Sequence, residues 1–380
     1  MNRQYPPGST IGVMGGGQLG RMFAIAARRM GYCVHVFTPD HDSPASQFAD
    51  ATTEADYRDE DAVQHFLRDL DLLTFEFENI PPETIDWCAR QIEVRPAGAI
   101  IETAQNRLRE KNFFSENGFP VPPFRPIRSS AELVSAVEQL GRNAILKTIA
   151  FGYDGKGQQS ISSRDLKDVW ETRVSDELIL ERAIDFEKEI SVIVARDPSG
   201  KMESFPIGEN VHRNHILDVT IVPAAIPESV AKEAIGIASA IAEKLDLIGL
   251  LAVEMFQEMG GKLLVNEIAP RPHNSGHWSL EGCFTSQFEQ QVRAVCGLAL
   301  GSTELLRPSA MANLLGDIWQ FGEPDWLAAL AFPNVHLHLY GKHEARPRRK
   351  MGHLTALASS AEEAARLVRR ARESLCKQKL

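Results

Sequence analysis

Two apolar segments separated by a glycine pair constrain the fold of this chain more than any other feature of its sequence. Residues 251–256 and 263–268 are mostly apolar, and Gly260-Gly261 lies between them, a pattern typical of a β-hairpin with a two-residue turn. Such a turn places Glu254 directly opposite Glu267. Residues opposite each other in a hairpin share one face of the sheet, with Cβ atoms about 5 Å apart.

Two facing carboxylates destabilise a hairpin unless something neutralises them. A divalent cation with oxygen ligands does so, and Mg²⁺ usually keeps water and substrate phosphates among its ligands. A solvated face with two acidic side chains is the alternative interpretation. Loops after strands often carry binding sites. The residues that follow the second strand include Arg271, His273, Asn274, Ser275, His277 and Trp278. The pattern therefore predicts a magnesium–nucleotide site with a second substrate beside it.

Length, charge and cysteine usage exclude several classes of protein. The 380 residues suffice for two or three domains with their own cores. A net charge of −10 argues against a nonspecific nucleic-acid binder and against a membrane-surface protein. No apolar run approaches the roughly 18 residues of a membrane span, and we expect no signal peptide. The five cysteines are widely spaced without a CxxC pair, so we expect reduced thiols and a cytoplasmic location.

The first part of the chain alternates between strand and helix patterns. The predicted strands are 11–14, 32–37 and 72–77, and the predicted helices are 18–30 and 62–69. This alternation predicts a parallel, doubly wound sheet. Farther along, Gly118 and the prolines at 120–126 follow a predicted helix at 104–117, and they mark a first domain boundary.

The turn GGGQLG after the first strand has more than one interpretation. Gly15, Gly17 and Gly20 match GxGxxG, and Asp40 follows about 20 residues later, where a dinucleotide-binding fold carries its ribose-binding acid. The same glycines suit a plain anion-binding helix terminus for a substrate phosphate, or merely a tight turn. The sequence leaves a nicotinamide site and an anion site open.

Two glutamates end the third predicted strand. Glu76 and Glu78 alternate with aromatic residues, so both lie on one face of the strand. Ligands of open α/β sheets bind outside the carboxyl ends of the strands, which makes this segment a candidate ligand contact. A solvated strand end is the alternative.

Glycines and a lysine between two predicted strands suggest a flap over a phosphate chain. The segment 152–158 reads GYDGKGQ, and the backbone N–H groups of such a loop form an anion-binding nest. It lacks the Walker A pattern, and a hairpin whose glycines only supply positive φ is the alternative. Lys147 on the preceding strand is expected to be half-buried, so it needs an anion, either a phosphate or a carboxylate of the protein.

Two later segments also suggest ligand contacts. The strand at 178–181 is followed by an apolar link, and a strand edge of this kind is a common way to bind adenine through backbone groups. The loop at 341–350 is strongly basic on an acidic chain, which predicts an anion site, with a solvated surface loop as the alternative. Its basic residues are Lys342, Arg346, Arg348, Arg349 and Lys350.

The order of these motifs resembles the ATP-grasp superfamily and, within it, the 5-(carboxyamino)imidazole ribonucleotide synthetases of bacterial and fungal purine synthesis. The matching segments are GGGQLGRM (15–22), FEFENI (75–80), GYDGKGQ (152–158), the hairpin with Glu254 and Asn266-Glu267, APRPHNSGHW (269–278) and RPRRKMGH (346–353). They run in the expected order over nearly the whole chain. GYDGKGQ together with PRPHNSGHW is specific, whereas GGGQLG alone is not.

The resemblance implies a fold with α/β and α+β parts. Its domains would be a Rossmann-like domain at 1–118, an ATP-grasp lid at 119–187 and a C-terminal ATP-grasp domain at 188–380. It also implies an ATP-dependent ligase that uses Mg²⁺ and acts as a homodimer, with no nucleic-acid or membrane partner. The implied reaction phosphorylates bicarbonate to carboxyphosphate, which then carboxylates the exocyclic amine of 5-aminoimidazole ribonucleotide, and ADP and phosphate leave.

The resemblance further implies roles for individual residues. Glu254 and Glu267 would bind Mg²⁺. The residues implied to contact ATP are Arg107, Lys147, Gly152, Tyr153, Asp154, Gly155, Lys156, Gly157, Gln158, Glu181, Arg182, Ala183, Ile184, Glu189, His212, Asn266 and Glu267. The candidates for the ribonucleotide are Gln18, Leu19, Glu76, Tyr153, Lys342, Arg349 and Lys350. The catalytic candidates are Asp154, which would orient the aminoimidazole, and Arg271, His273 and Asn274, which would hold bicarbonate or carboxyphosphate, with His273 as a proton shuttle.

Other functions fit part of the pattern. Another ATP-grasp enzyme, such as a formate-dependent glycinamide ribonucleotide transformylase or a biotin carboxylase, is the nearest alternative, but HNSGHW and the basic loop favour the first family by resemblance, and we see no biotin carrier domain. A nicotinamide-binding oxidoreductase built on GGGQLG leaves residues 152–158 and the facing glutamates without a role. A binding protein without turnover does not explain so many converging polar groups.

Overall fold

The computed structural model of the chain describes residues 3–150, 157–162, 164–173 and 175–376. Within these ranges the strands form three sheets, one parallel and two built from antiparallel pairs. The expected combination of α/β and α+β parts is confirmed. None of the described helices has the length and apolar composition needed to cross a membrane.

The N-terminal sheet is parallel, as the strand–helix alternation predicts. Its strands are β1 (Thr10–Met14), β2 (Cys33–Thr38), β3 (Ala51–Glu54) and β4 (Leu72–Phe75), and the helices of this region are α1 (Gln18–Arg29), α2 (Glu60–Leu67), α3 (Pro82–Ala89), α4 (Gly98–Gln105) and α5 (Arg107–Glu116). The strand order is β3-β2-β1-β4. We did not predict β3, because this edge strand is half-exposed and its sequence ATTE carries no apolar run.

A small antiparallel sheet follows the proline-rich segment. Its elements are β5 (Phe124–Ile127), α6 (Ser130–Leu140), β6 (Ala144–Thr148), β7 (Gln158–Ser160), α7 (Leu166–Glu171) and β8 (Leu178–Arg182). The strand order is β5-β8-β6-β7, so β8 lies inside the sheet. We call this unit the lid. Its small core joins α6 and α7 to the inner strands, and includes Leu133, Val137 and Leu180.

The C-terminal part contains nine of the described strands in one sheet. Its strands are β9 (Phe186–Arg196), β10 (Met202–Ser204), β11 (Gly208–Arg213), β12 (Ile216–Val222), β13 (Gly249–Glu258), β14 (Leu263–Ala269), β15 (Ser309–Leu315), β16 (Val335–Leu339) and β17 (Lys350–Leu357). Its helices are α8 (Glu228–Lys244), α9 (Ser279–Gly282), α10 (Gln287–Val295), α11 (Trp326–Leu330) and α12 (Ala361–Ser374). The order is β14-β13-β9-β11-β12-β15-β17-β16, with β10 paired to β9.

Strand β13 is buried on both faces along most of its length. Leu251 and Val253 pack with α8 in one core, whereas Leu250 and Ala252 pack in a second core with Trp278 and part of α10. Because side chains alternate along a strand, Glu254 lies on the same face as Leu250 and Ala252. The apolar part of β13 therefore anchors a strand whose later residues reach the candidate site.

The predicted domain boundaries stay predictions. Helix α5 ends at Glu116, and Gly118 follows with a φ of 75°, as expected for a glycine that terminates a helix. The second predicted boundary, between residues 187 and 188, lies inside β9. Contacts also cross the division between the first and last parts, because Val292 and Val295 of α10 belong to the core that contains β1 and α1.

Candidate active site

A cleft of about 1040 Å³ collects residues from the N-terminal sheet, the lid and the nine-stranded sheet. The predicted site residues that line it are Gln18, Leu19, Glu76, Arg107, Lys147, Gln158, Glu189, His212, Glu254, Asn266, Glu267, Arg271, His273, Asn274 and Lys350. The volume suits a nucleotide together with a second small substrate. The structure thus brings together side chains that lie far apart in the sequence.

Part of the predicted flap cannot be compared with the structure. Gly152, Tyr153, Asp154, Gly155 and Lys156 lie outside the described residues. Gly157, which follows them, has a φ of 70°, and its carbonyl accepts a hydrogen bond of 2.8 Å from the backbone N–H of Thr148. Gln158 begins β7 and lines the cleft.

The hairpin of β13 and β14 differs from the predicted turn but keeps the predicted pair. Glu258 pairs with Lys262, so Met259, Gly260 and Gly261 form a three-residue loop, and the prediction of a two-residue turn is wrong. Both glycines have a φ near 90°, a conformation that other residues seldom adopt.

One bulge compensates for the longer loop. The register shifts between the pairs Met255–Val265 and Glu254–Glu267, which leaves Asn266 as the extra residue of β14. Glu254 and Glu267 therefore face each other, and this predicted pairing is confirmed. The correct pairing came from two deviations that cancel, an added loop residue and an added strand residue.

The facing carboxylates of Glu254 and Glu267 repel each other when both are ionised. Burial and the charge of Glu267 raise the pKa of Glu254 to about 8. Among the groups that oppose this rise is His212, and Nδ1 of His273 lies 3.8 Å from Oε1 of Glu254. A cation between the two carboxylates would remove the repulsion that raises this pKa.

The residues around this pair fit a magnesium ion of the nucleotide-bound kind. In the described part of the chain no group of three or more His, Cys, Asp or Glu side chains is arranged to hold a metal. Mg²⁺ commonly uses only one or two carboxylates and takes its remaining ligands from water and substrate phosphates. The donor set of Glu254 and Glu267 is therefore compatible with Mg²⁺ that arrives with ATP.

Lys147 has the carboxylate partner that was one of its two predicted alternatives. Its Nζ donates a hydrogen bond of 3.0 Å to Oε2 of Glu181, and Nζ of Lys111 lies 3.6 Å from the same oxygen. Burial would raise the pKa of Glu181, but the charges of Lys111 and Lys147 lower it to about 2. Glu181 therefore stays ionised and holds two cations at the edge of the cleft.

The predicted strand edge for adenine is not an edge. Strand β8 pairs with β5 on one side and β6 on the other, so this part of the prediction is wrong. The backbone N–H groups of Arg182 and Ala183 donate to Pro123 and Asn143, each at 2.9 Å. Residues 181–184 are also absent from the described lining of the cleft.

Glu189 and His212 form an ion pair across adjacent strands. Nδ1 of His212 lies 2.6 Å from Oε2 of Glu189, and both side chains line the cleft. Burial opposes protonation of His212, but the hydrogen bond to Glu189 and its charge raise the pKa of the imidazole above its ordinary value. Glu189 and His212, both predicted to contact the nucleotide, are thus paired with each other close to Glu254.

Arg271 connects the segment after β14 to the N-terminal sheet. Its Nε and Nη2 donate to the two carboxylate oxygens of Glu78, at 2.6 Å and 3.0 Å. Burial raises the pKa of Glu78, but the charge and hydrogen bonds of Arg271 bring it below its ordinary value. The solvated strand end that was the alternative for Glu78 is therefore wrong, because this carboxylate is paired inside the cleft.

His273 and Asn274 present polar atoms to the same region. Burial and the charge of Arg271 lower the pKa of His273 well below its ordinary value, so its ring is neutral. Its Nδ1 lies 2.8 Å from Oγ of Ser275. Both side-chain amide atoms of Asn274 are buried without a hydrogen-bond partner in the described structure. Buried polar atoms of this kind are expected to bind a ligand or water.

The first turn of α1 is occupied by a carboxylate. Glu76 accepts hydrogen bonds from the backbone N–H groups of Gly17 at 2.7 Å and Gly20 at 3.1 Å. Burial raises the pKa of Glu76, and these two hydrogen bonds oppose the rise. A pyrophosphate at this helix terminus would meet that carboxylate, which disfavours the nicotinamide interpretation of GGGQLG.

The basic loop packs against the N-terminal domain and directs one lysine into the cleft. Lys350 lines the cleft, and Nζ of Lys342 donates to its carbonyl at 2.7 Å. Nη1 of Arg349 donates to the carbonyl of Glu344 at 2.9 Å, within the loop itself. Gln47 joins the loop to the N-terminal domain through the carbonyl of Gly341.

Sequence reasoning missed Glu110 and Lys111, two adjacent charged residues of α5. Both are buried, with 2% and 1% of their surface exposed. Lys111 donates to the carbonyl of Asn266 at 2.6 Å, and Glu110 accepts from the N–H of Ile268 at 2.8 Å. Charged helix residues are usually solvent-exposed. The available signal was that α5 has no clear apolar stripe.

Comparisons with known proteins match successive parts of the chain. The ribonucleotide synthetase preATP-grasp domain matches residues 9–105, the ATP-grasp domain matches residues 112–288, and the phosphoribosylaminoimidazole carboxylase C-terminal domain matches residues 309–367. These matches confirm the predicted fold, an ATP-grasp chain with a separate N-terminal domain of the preATP-grasp type.

Relatives of known name extend over most of the chain. The N5-carboxyaminoimidazole ribonucleotide synthase of Bacillus subtilis (strain 168) is 43% identical over 358 residues, which cover 94% of this chain and 93% of that protein. The bifunctional purine synthesis protein purC/E of Dictyostelium discoideum is 45% identical over 92% of this chain, and the match spans 37% of that longer protein.

Solved structures give the same relationship. An ADP complex of purK, an N5-carboxyaminoimidazole ribonucleotide synthetase, superposes with a TM-score of 0.92 at 42% identity and covers 100% of both chains. The N5-carboxyaminoimidazole synthase of Aspergillus clavatus, in complex with ADP and 5-aminoimidazole ribonucleotide, has a TM-score of 0.89 at 31% identity and covers 97% of this chain and 99% of that one. The chain described here belongs to the N5-carboxyaminoimidazole ribonucleotide synthase family.

Proposed function

We propose that this enzyme uses ATP and bicarbonate to carboxylate 5-aminoimidazole ribonucleotide, a ligase step of purine biosynthesis that releases ADP and phosphate. Membership of the synthase family supports the activity. The geometry that carries the proposal is the facing pair Glu254 and Glu267, in a cleft that also contains Lys147 and Lys350. Acidic and basic side chains that line one cavity suit a metal-bound triphosphate beside a phosphorylated second substrate.

Glu254 and Glu267 are the proposed Mg²⁺ ligands, with Asn266 beside them. When bound, Mg²⁺ neutralises phosphate oxygens and so favours transfer of the terminal phosphoryl group. The physical support is the raised pKa of Glu254, which reflects a buried carboxylate that faces a second one. Both side chains line the cleft, so they are accessible to a ligand of this kind.

Lys147 and Arg107 are assigned to the phosphates of ATP. Because Glu181 already holds Lys147, the ammonium group loses little freedom when a phosphate arrives. We assign the ribose to Glu189 and His212. The residues assigned to adenine remain Glu181, Arg182, Ala183 and Ile184, acting through groups other than the two backbone N–H groups already bonded. The flap residues Gly152, Tyr153, Asp154, Gly155, Lys156, Gly157 and Gln158 are assigned to the phosphate chain.

The chemistry consists of two transfers. A bicarbonate oxygen attacks the γ-phosphorus of ATP, and the new P–O bond forms as the bond to ADP breaks, which gives carboxyphosphate. The amine nitrogen of the ribonucleotide then attacks the carboxyl carbon, and the C–O bond to phosphate breaks. The amine loses one proton in this step. We assign the transfer of this proton toward the departing phosphate to His273, whose lowered pKa keeps its ring neutral and ready to relay it.

Arg271 and Asn274 are assigned to bicarbonate and to the carboxyphosphate oxygens. Hydrogen bonds between described residues use three of the five N–H donors of Arg271, because Nε and Nη2 bond Glu78 and Nη1 bonds Pro272. The remaining donors and the unpartnered amide of Asn274 suit a small anion with several acceptor oxygens. Such groups exclude water from a reactive intermediate when the site is filled.

The ribonucleotide is assigned to the other part of the cleft. Lys350, with Lys342 and Arg349 from the same loop, is assigned to the phosphate monoester. Gln18 and Leu19, which line the same cleft as Lys350, are assigned to the ribonucleotide as well. Glu76, Tyr153 and Asp154 are assigned to the aminoimidazole.

One assay tests this function directly. ADP release is measured with Mg²⁺ and bicarbonate, with and without 5-aminoimidazole ribonucleotide, and the carboxylated product is identified by trapping of ¹⁴C-bicarbonate. We expect ADP release and label incorporation to rise together when the ribonucleotide is added. ADP release that does not respond to the ribonucleotide would contradict the proposal. Formate in place of bicarbonate tests the transformylase alternative, and we expect no stimulation by it.

A variant tests the metal site within the same assay. Glu267→Gln keeps the shape of the side chain but removes its charge, so we expect kcat to fall by about 100-fold or more at saturating ATP. Full magnesium-dependent activity of this variant would exclude Glu267 as a ligand.

The proposal includes a homodimer in the cytoplasm. Exposed apolar side chains such as Phe321 and Leu327, which have 72% and 87% of their surface exposed, support a contact between copies of the chain. The five free cysteines support a reducing compartment. Sedimentation equilibrium tests the dimer, and a single species with the mass of one chain would contradict it.

A further inference from the structure

Two neighbouring residues of α5 form hydrogen bonds to the backbone of β14 at and next to the Asn266 bulge. Lys111 donates a hydrogen bond of 2.6 Å to the carbonyl of Asn266, and Glu110 accepts one of 2.8 Å from the N–H of Ile268. These backbone groups lie immediately before and immediately after Glu267. The helix therefore holds both peptide groups that flank the proposed magnesium ligand.

A bulged strand needs such support for a physical reason. The extra residue interrupts the ladder of hydrogen bonds, and its backbone groups need other partners. A shift of one residue in the register would also turn Glu267 to the opposite face of β14, away from Glu254. Lys111 donates to the carbonyl of the extra residue, Asn266, and Glu110 accepts from the N–H of Ile268 on the open edge of β14. The two hydrogen bonds oppose this shift.

Glu110 and Lys111 both lie where burial disfavours the charged form of a side chain. Glu110 and Lys111 are almost completely buried, and buried charges without a function are frequently replaced by apolar side chains at no loss of stability. An apolar pair at these positions would fill the space equally well, but it could not bond the two backbone groups. The geometry thus gives a specific use to two buried polar side chains to which we assign no step of the reaction.

Lys111 also connects the two sides of the cleft. Its Nζ lies 3.6 Å from Oε2 of Glu181, and the same oxygen accepts a hydrogen bond of 3.0 Å from Lys147. The chain of contacts from Asn266 through Lys111 and Glu181 to Lys147 therefore joins β14 of the nine-stranded sheet to β8 and β6 of the lid.

We propose that Glu110 and Lys111 are positioning residues that hold the Asn266 bulge in the register in which Glu267 faces Glu254. We further propose that Lys111, through Glu181, ties this register to the position of Lys147. The inference rests on the proposed function, because it assigns Glu267 to the metal and Lys147 to phosphate. It predicts two separable effects, since the side-chain hydrogen bond of Glu110 goes to β14, whereas Lys111 contacts both β14 and Glu181 of the lid.

The experiment measures Mn²⁺ and ADP binding rather than turnover. The probe is Mn²⁺, whose free concentration is read by electron paramagnetic resonance in the presence of saturating ADP. ADP binding without metal is measured by calorimetry in EDTA. Loss of a partner that orients a metal ligand typically lowers metal affinity by about 10-fold to 100-fold. We expect Glu110→Leu to weaken Mn²⁺ binding by about 10-fold and to leave ADP binding in EDTA within about twofold of wild type.

Two further variants separate positioning from general destabilisation. Lys111→Met should weaken both Mn²⁺ binding and ADP binding in EDTA. It removes the hydrogen bond to Asn266 and also the contact that ties Glu181, and with it Lys147, to β14. Glu110→Gln should restore Mn²⁺ binding, since its amide oxygen can still accept the N–H of Ile268. Hydrogen exchange of the Ile268 amide should be faster in Glu110→Leu than in wild type and unchanged in Glu110→Gln.

Arg196→Met provides the matched control. Arg196 likewise bonds a backbone carbonyl, that of Leu247 at 2.8 Å, and a carboxylate, that of Asp246 at 2.9 Å, but it lies at the far end of β9 from Glu189. We expect this variant to bind Mn²⁺ and ADP as wild type does.

The possible outcomes decide between the two proposals. Glu110→Leu that melts cooperatively and binds Mn²⁺ as tightly as wild type overturns the positioning role and leaves the metal site intact. If Glu110→Leu does not fold, weak Mn²⁺ binding by Glu110→Gln would still overturn it, because that variant keeps the hydrogen bond. Wild type that binds no Mn²⁺ with ADP, or Glu267→Gln that binds it unchanged, refutes the proposed metal site and this inference with it.

Discussion

Arg271 and Glu78 form a two-bond ion pair that joins the segment after β14 to the carboxyl end of the N-terminal sheet. The pair links the first domain to the segment that follows the nine-stranded sheet's β14, and both residues line the cleft. Two of the five N–H donors of Arg271 are not used in the hydrogen bonds to Glu78 and Pro272. One residue thus serves both the assembly of the domains and the proposed anion site.

Arg271→Lys tests this dual role. A lysine cannot make both hydrogen bonds to Glu78, because its ammonium group lacks the planar fork of arginine. We expect the free energy of unfolding to fall by about 1–3 kcal/mol, because both side chains of the pair are largely buried. Urea unfolding followed by circular dichroism measures this change. Arg346→Lys, in an exposed pair with Glu344, is the control and should leave the free energy of unfolding unchanged. Equal stability of Arg271→Lys and wild type would contradict a structural role for the pair.

Gly17→Ala and Gly236→Ala should have effects of opposite sign. A Cβ at Gly17 would lie 2.6 Å from Oε1 of Glu76, so the carboxylate would have to leave the first turn of α1. We expect a loss of about 1–3 kcal/mol of unfolding free energy. Gly236 lies within α8, and a Cβ there meets no atom within 4 Å, so alanine should stabilise the protein by about 0.5–1 kcal/mol. Thermal unfolding of both variants measures the difference. A neutral Gly17→Ala would show that Glu76 is free to move.

Proton binding by Glu254 predicts a pH dependence of stability without metal. The pKa of Glu254 is raised from 4.5 to about 8 by burial and by Glu267, so between these values the folded protein binds more protons than the unfolded chain. The contribution of this group to the free energy of unfolding is therefore fully present below about pH 4.5 and is lost as the pH rises through about 8. Burial raises the pKa of Glu110 to a similar value, and it contributes in the same range.

The comparison of wild type with Glu254→Gln isolates the contribution of Glu254 to the pH dependence of stability. Unfolding in EDTA is measured between pH 5 and pH 9, and we expect the wild type to lose more stability than the variant as the pH rises, by the linkage between proton binding and folding, over a range of about 4 pH units. Addition of Mg²⁺ and ADP should reduce the difference, because the metal requires the ionised carboxylate. Parallel curves for the two proteins in EDTA would refute the raised pKa.

Lys350→Met should impair one substrate more than the other. Lys350 lines the cleft and is assigned to the phosphate of the ribonucleotide, so its loss removes a charge-assisted hydrogen bond. We expect KM for 5-aminoimidazole ribonucleotide to rise about 10-fold and KM for ATP to change by less than about twofold. Initial-rate kinetics with each substrate varied in turn give both values. Arg346→Met, whose guanidinium bonds Glu344, is the control within the same loop. Equal effects of Lys350→Met on both KM values would count against its phosphate role.

The sequence by itself determined the features that depend on local pattern. The alternation of apolar and polar residues predicted the parallel sheet of the first domain, and the hairpin pattern predicted that Glu254 and Glu267 face each other. The order of the motifs identified the family, and the family indicated the reaction. Local pattern is sufficient to identify a hairpin because its two strands are close in the chain. The pairing of Glu254 with Glu267 was nevertheless correct only because an extra loop residue and an extra strand residue cancel.

The tertiary structure alone decided which charges meet. Glu78 lies far from Arg271 in the chain, and Lys111 lies far from Asn266 and from Glu181. Each contact forms only when elements that are distant in the chain pack together. It also decided the loop of three residues and the bulge that compensates for it, because the bulge is held by a helix rather than by its own sequence. From the sequence alone, charged residues are expected to be solvent-exposed. Their burial, which changes their pKa values and gives them partners, is a property of the folded chain.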